Sequence, residues 1–584
     1  MARKMTEKVE EGITPVAVDD QGQEQHADKT ELSHLRKLSI LIVMNTVSLV
    51  QAFDATCICV VLPSLARELN ASFSEGLSMG SVFLLATAIA QPIFAEIAHV
   101  VGRRPAYIAA LAIFITGTVF CGTANSSIML LVGRAVQGVG SGGPQALSGL
   151  IHTDMFPIRQ RSRLLAYQNV SWALGTIAGP LVGGAVVQNR DSHWKWIFWC
   201  TLPLLGSCLI GAMFLLGYDQ DQRNLRFIKN LDWMGILLYI IASVSLLLPL
   251  TWGGSRYPWR STPVIVPLII STLAFIGLGF FENKTERAMF RKSMFQCRST
   301  VLQFAGALIH GIVMWMVLYY LAVYFLGIKC QSPLMTGVWA LPATITVAPM
   351  AAVVGFVASK TGRYMGFMLS GWTLLIIIFG SMTILDKDTS TSAVLIITLF
   401  VGIAMGLLIP VMTIGVQATV KGDGAGHAIS MIYVLRTMGQ CLGIAIGITV
   451  FSVQLEKEIK KMGVDADQTS NILKMIKASV EQGNLDQHEH MMNAVTVALQ
   501  RLWMAASILA GLALILCLFA RCPKLPKDSE AQDREEPRPE HGFWDTAIGQ
   551  VWHCFSSKIT SVRPCLHKAT EQPDLGSGAI VAPK

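Results

Sequence analysis

The chain has 584 residues, 52% of them hydrophobic and only 14% charged. Soluble domains run nearer a quarter charged, so this balance excludes an ordinary soluble domain and points to lipid as the main solvent. The formal charge of +8 does not mark a nucleic-acid binder, because Lys and Arg fall in short gaps between apolar runs, the pattern that sets membrane topology.

Residues 1–37 are polar, with Asp19, Asp20 and Glu24 and no apolar stretch, so they read as a disordered tail rather than a signal peptide. The first membrane span then serves as the targeting signal. A span needs roughly 17–25 mostly apolar residues. Such runs fall near 40–62, 79–99, 106–124, 128–150, 164–187, 196–217, 234–252, 264–281, 301–326, 335–357, 365–385, 393–416, 426–451 and 502–520, fourteen in all. An even count puts both tails on one side. With that side cytoplasmic, the short inside loops carry sixteen Lys and Arg and the outside loops seven, so the bias favours cytoplasmic termini. Two sequons, at Asn70 and Asn125, then face outward as glycosylation candidates.

Within the first and fourth spans stand Asp54 and Arg134, ionisable residues that are costly at bilayer depth and therefore face a partner or a cavity. Both lie roughly 10 Å below the outer surface at 1.5 Å per residue, so an Asp–Arg pair bridging the two helices is geometrically feasible, as a structural or a functional pair. Span five carries Gly175, Gly179 and Gly183 at four-residue spacing with Pro180 among them. This forms a smooth face for close helix approach, and the proline adds a kink able to act as a hinge. Span thirteen repeats the spacing at Gly439, Gly443 and Gly447, just after a mid-membrane Arg436.

The ninth span holds a second mid-membrane group, His310, which either accepts protons, with an unperturbed pKa of about 6.5, or simply hydrogen-bonds a neighbouring helix. It also holds Trp315, Tyr319, Tyr320, Tyr324 and Phe325, which line a pocket for flat lipophilic compounds or form an interfacial belt facing lipid. Trp315, the deepest, is the better pocket residue. The segment 452–500 is a long outer loop whose spaced apolar residues Leu455, Ile459, Ile472, Leu473, Ile476 and Val480 suggest an amphipathic helix. After it, 521–584 is rich in Pro and charge and reads as disordered. Twelve scattered cysteines show no paired CxxC at metal spacing, so neither a metal site nor a disulfide framework is expected.

Four motifs carry a family resemblance. They are Phe53–Pro63 (FDATCICVVLP) in span one, Leu131–Gly143 (LVGRAVQGVGSGG) in span four, Gly175–Gly184 (GTIAGPLVGG) in span five and Trp194–Pro203 (WKWIFWCTLP) before span six. Over residues 38–520 the chain resembles the major facilitator superfamily, specifically its fourteen-span drug:H⁺ antiporters, the fungal toxin and secondary-metabolite efflux pumps. The resemblance implies an all-α membrane fold of two six-helix halves, 38–217 and 299–520, with two inserted helices in 218–298. The halves rock around a midplane site. A trace of the repeat is visible in Gly102-Arg103-Arg104 after span two and Gly362-Arg363 after span ten. The resemblance places Gln137, His310 and Trp315 in the substrate cavity, Asp54 and Arg134 in proton coupling, Arg436 with the glycines at the hinge or interface, and His99, Gly102, Arg103 and Arg104 at the cytoplasmic gate. One departure falls at that gate, where His99 stands in place of the family's Asp and Ala95 in place of its Gly.

The function expected is proton-coupled export of a small lipophilic compound by a monomer in the plasma membrane, without cofactor, nucleic acid or enzymatic chemistry. The competing readings are an uptake or vacuolar carrier for siderophores or basic amino acids, and a sensor that kept the fold without turnover. A cationic substrate prefers more cavity acids than the spans supply. No GxxxxGK[ST] occurs, which sets ATP-driven pumping aside.

Overall fold

The computed structural model describes residues 34–520 apart from 72, 156–157, 189–190, 217–230, 254–256, 286–288, 291, 296, 421–423 and 462–484. In lipid every backbone N–H and C=O needs a partner within the protein, and runs as apolar as these meet that demand as helices. The first half comprises α1 (His34–Glu68), α2 (Phe73–Val101), α3 (Arg103–Gly122), α4 (Ser127–Met155), α5 (Ile158–Val187), and a sixth crossing made of α6 (Trp196–Trp199) and α7 (Leu202–Leu215). An inserted pair follows, α8 (Trp233–Trp252) and α9 (Thr262–Lys284). The second half comprises α10 (Arg298–Val323), a tenth crossing split into α11 (Pro333–Ile345) and α12 (Val347–Thr361), then α13 (Met365–Met382), α14 (Thr391–Thr419), α15 (Gly424–Lys461) and α16 (Leu485–Leu518). Helix starts carry recognisable caps: the Asp232 side chain accepts from Gly235 N at 2.8 Å, and Ser332 and Ser390 accept from the backbone N–H three residues on.

Among the described residues, thirteen crossings are long and apolar enough to span a membrane. The remaining one is α4, which is as long as α2 but interrupted by Arg134, Gln137, Gln145 and six glycines. It spends its polarity inward. Gly138 and Gly142 lie against Phe83, Ala86, Thr87 and Ala90 of α2, while Gly140 and Gly143 lie against Phe114 and Ala110 of α3. With a helix pressed on each side, α4 presents little of itself to lipid and has no need of the apolar surface its neighbours carry.

In the first half α1 packs on α5, α2 and α3 flank α4, and α7 closes against α1 and α3. In the second, α10 packs on α15, α13 on α14 and α16, and both α11 and α12 on α14. The halves meet along two seams, α2 with α15 and α5 with α11, and the inserted pair touches both halves through α8. Alternate helix ends fall on two faces. The face where α1 begins, here the tail face, is tied by Arg36 Nε to Leu215 O at 2.8 Å and Thr300 to Thr419 at 2.8 Å. The opposite, far face is tied by Ser127 to Leu69 O at 3.2 Å and Tyr324 to Asp386 O at 3.0 Å.

Two boundaries differ from the sequence reading. Helix α1 starts inside the segment assigned to the N-terminal tail. The segment 452–500, expected as an outer loop with an amphipathic helix, carries its described helix as continuations of the two flanking crossings, since α15 runs to Lys461 and α16 starts at Leu485. Leu455 and Ile459 stay buried on that extension while Lys460 pairs with Glu456 at 2.5 Å on its solvated side. Hydropathy detects the stretch within lipid and misses helix that continues beyond it. Ile472, Leu473, Ile476 and Val480, and the tails 1–33 and 521–584, lie outside the described residues.

Candidate functional site

The site begins with a charge that the helices isolate from lipid. Arg134 on α4 is fully buried, as are Asp54 on α1 and Gln137 one turn further along α4. The guanidinium donates through Nη1 to Asp54 Oδ2 at 3.2 Å and Gln137 Oε1 at 2.8 Å, through Nη2 to the Asp54 carbonyl at 3.4 Å, and through Nε to Met79 O at 3.3 Å. Its carbon sits 4.3 Å from the centre of the Phe83 ring, within cation–π range. Gln137 is fixed in turn by donating to Thr118 Oγ1 at 3.0 Å on α3. Close approach of α3 is allowed by Gly117, where a Cβ would strike the Gln137 backbone. Asp54 is less well served: Oδ1 is buried without a hydrogen-bond partner, which leaves one carboxylate oxygen free for a proton.

The structure therefore joins Asp54 to Arg134 and brings in Gln137 as a member of the ion-pair network rather than as a lining residue of an open cavity. It also adds Tyr319, which the sequence analysis placed only in an aromatic cluster. From α10 in the other half, its hydroxyl donates to Ala55 O at 3.1 Å, one residue from Asp54, and Gly80 of α2 supplies the space the hydroxyl occupies. The signal missed was depth: Tyr319 sits toward the far end of α10, and Asp54 toward the far end of α1, which runs in the same direction. Trp315, Tyr319, Tyr320, Tyr324 and Phe325 are all almost completely buried, so the lipid-facing belt considered above is overturned. Large exposed aromatics lie elsewhere, at Trp196, Phe214 and Trp233.

His310 and Arg436 form a separate group in the second half. His310 meets Met405 O of α14 through Nε2 at 3.4 Å, and its Nδ1 has no partner. Arg436 is buried on α15 with neither Nε nor Nη2 hydrogen-bonded, its only ring neighbour being Tyr433 at 5.7 Å among the described residues. Trp315 Nε1 is likewise unpartnered.

The two glycine stripes do equivalent work. Gly175, Gly179 and Gly183 face α1 between Leu49 and Val61, the stretch that carries Asp54, and Gly439, Gly443 and Gly447 face α10 between Leu308 and Tyr320. Pro180 lies on another side of α5, where its carbonyl packs against Gly337 of α11. On the tail face, Gly102 adopts φ 100°, a region that favours glycine, and Gly362 repeats the turn at φ 66° in the second half. The first turn brings Arg103 Nη1 to 3.3 Å from His99 Nδ1, and Arg104 to the Met213 carbonyl. The His99 ring lies 5.3 Å from that of His427 across the α2–α15 seam. Asn70, in a left-handed turn after α1, and Asn125, which accepts from Lys195 Nζ at 2.6 Å, are exposed on the far face.

A helical bundle of two repeated halves, with an ion pair sealed in one of them, defines a multi-pass membrane transporter. Residues 44–444 match the Major Facilitator Superfamily model, and the chain belongs to that family. It is 35% identical over 491 residues to MFS transporter L2 of a Phoma species, covering 82% of this chain and 81% of that protein. It is 31% identical over 455 residues to the MFS efflux transporter aclA of Aspergillus oryzae, covering 77% and 81%. The efflux pump FUS6 of Gibberella fujikuroi is 28% identical, covering 82% and 88%. Among solved structures, a bacterial homologue of the human lysosomal transporter Spinster aligns with a TM-score of 0.55 at 16% identity, covering 87% of this chain and all of that one, which shows a shared fold. The chain is thus a membrane carrier of a small molecule and not an enzyme.

Proposed function

We propose that the chain exports a small lipophilic compound in exchange for protons, by alternating access, as a fourteen-span drug:H⁺ antiporter. The observation that carries the proton part is the Asp54 carboxylate, buried, held by Arg134 through one oxygen and unpartnered at the other. Such an acid loses its proton while the guanidinium holds it and gains one when that grip loosens, so its charge follows the conformation. Arg134 and Gln137 set the ionised state. The glycine face of α5 lets α1 move with the ion pair, and Pro180 marks where α5 flexes against α11. His99, Gly102, Arg103 and Arg104 serve as the gate on the tail face. The direction of transport rests on relatives that are themselves named efflux transporters.

In this reading the tail face is cytoplasmic, the sequons at Asn70 and Asn125 face outward, and the protein works as a monomer in the plasma membrane. The halves would run 38–217 and 299–520. Cells expressing the protein and loaded with a panel of fluorescent lipophilic dyes test the reading. Efflux that stops with an uncoupler and is lost in Asp54→Asn is expected. Efflux that continues in Asp54→Asn, at equal surface expression and with the same pH response, contradicts it.

A further inference from the structure

The two arginines at bilayer depth are treated differently by the fold. Arg134 meets a carboxylate, two carbonyls, a glutamine and an aromatic face, all from its own half. Arg436 sits twelve residues into α15, about 18 Å along the helix from its tail-face end. It forms no ion pair among the described residues, and its Nε and Nη2 are buried and unpaired. Among the helices packed on α15, α8, α10 and α14 contain no Asp or Glu, and α2 carries only Glu75 and Glu96. Glu96 lies five residues or about 7.5 Å tailward of Gln91, the partner of Thr437, and Arg436 pairs with neither glutamate. The acids of α15 and α16 stand at their far-face ends, the nearest on α15 being Glu456, twenty residues or about 30 Å away. A buried cation without a counter-charge costs several kcal/mol, and folds retain one where something else supplies the anion.

Its surroundings are rich in donors. Gly311, next to His310 on α10, packs directly on the Arg436 and Gln440 backbone. Trp315, one turn beyond Gly311 on α10, keeps an unpartnered Nε1, and His310 an unpartnered Nδ1. Set against these, Gln440 one turn along α15 has a free carbonyl oxygen to receive a hydroxyl or N–H of the same ligand. A planar guanidinium with free Nε and Nη2 offers the two-pronged edge that matches a carboxylate or a similarly delocalised oxyanion. We infer that Arg436, flanked by Gln440, His310 and Trp315, is the docking point for an acidic group on the transported compound. This rests on the reading of the chain as a small-molecule exporter and names the class of its cargo: lipophilic acids rather than lipophilic cations.

The test is equilibrium binding to the purified full chain, without a gradient, so failure of proton coupling through Asp54 leaves its outcome unaffected. The probes are 1-pyrenebutyrate and 9-anthracenecarboxylate with their methyl esters, followed by quenching of tryptophan fluorescence. The acids are expected to bind about tenfold or more tighter than the esters. Arg436→Gln should abolish that preference and Arg436→Lys retain much of it. Gln440→Leu should weaken acid binding while leaving the preference over the ester, and unliganded melting curves establish that each variant is folded. Equal binding of acid and ester, an acid preference that survives Arg436→Gln, or no binding of either acid would overturn the inference. Complete displacement of the acids by chloride alone would also overturn it, since the site would then be one for an inorganic ion.

Discussion

Asp54 and Arg134 are each tolerable at their depth because of the other, and the cost of separating them sets the sign of several expectations. Removing the acid alone leaves a buried guanidinium with three of its acceptors. Removing the arginine leaves a buried carboxylate with none of its charge-assisted bonds. Breaking a buried pair from one side typically costs about 3–5 kcal/mol, whereas replacing both partners with neutral groups costs much less. Arg134→Leu is therefore expected to lower the melting temperature of the purified protein well below that of Asp54→Asn, and the double variant Asp54→Asn/Arg134→Leu to recover part of the loss. A double variant less stable than either single one would show that the pair is not what stabilises this layer. Gln137→Leu, which strips Arg134 of one acceptor and Thr118 of its donor, should fall between.

At the scale of elements, glycines decide how close the helices come. A Cβ at Gly140 would run into the Phe114 backbone and one at Gly179 into Thr56, whereas Gly511 on α16 has open space around it. Overpacking of this kind costs about 1–3 kcal/mol, and the helical preference of alanine over glycine is worth up to about 1 kcal/mol. Gly140→Ala and Gly179→Ala should thus destabilise while Gly511→Ala is neutral or stabilising, as read by thermal unfolding in detergent. At the tail-face turn, Gly102→Ala forces a side chain to φ 100° and should cost of order 1–3 kcal/mol, with no comparable loss at Gly366, whose surroundings are empty.

Much of this level was legible in the sequence. Each apolar run became a crossing, and the four-residue glycine spacing in spans five and thirteen marked faces that do meet α1 and α10. The depth of Asp54 and Arg134, counted along antiparallel helices, was enough to pair them. What stayed hidden depends on rotation about each helix axis. Periodicity is weak where a helix is apolar all round, so Gln137 could not be assigned to the ion pair rather than a cavity, nor the α10 aromatics to the interior rather than to lipid. Helix beyond the bilayer, as at the end of α15, shows only as spaced apolar residues such as Leu455 and Ile459, which suggest a helix there without marking it as a continuation of the span.

For the molecule as a whole, one set of contacts between the halves lies toward the far face. Tyr319 reaches Ala55, Leu334 N meets Gln188 Oε1 at 3.2 Å, and Gly184 and Gly337 bring α5 and α11 together. Midway, Gln91 bridges Gln145 at 2.7 Å and Thr437 at 3.1 Å, tying both halves through α2. The Tyr319 bond ties the second half to the residue beside Asp54, so in the proposed cycle it would link far-face closure to the ion pair. Tyr319→Phe removes one hydrogen bond worth about 1 kcal/mol and should shift the population toward far-face opening roughly fivefold. Labelling rates at a cysteine placed at Gln188 would report it, and an unchanged rate would separate Tyr319 from closure.

The central claim, that Asp54 carries the exchanged proton, is met most directly by proton release on binding. Purified protein in weakly buffered detergent is mixed with a saturating lipophilic dye whose own groups do not titrate near neutral pH, and released protons are counted with a pH indicator. Wild type is expected to release a substantial fraction of one proton per bound dye, highest where Asp54 is protonated before binding, and Asp54→Asn to bind the dye and release almost none. Equal release from both proteins would place the exchanged proton on another group and contradict the account.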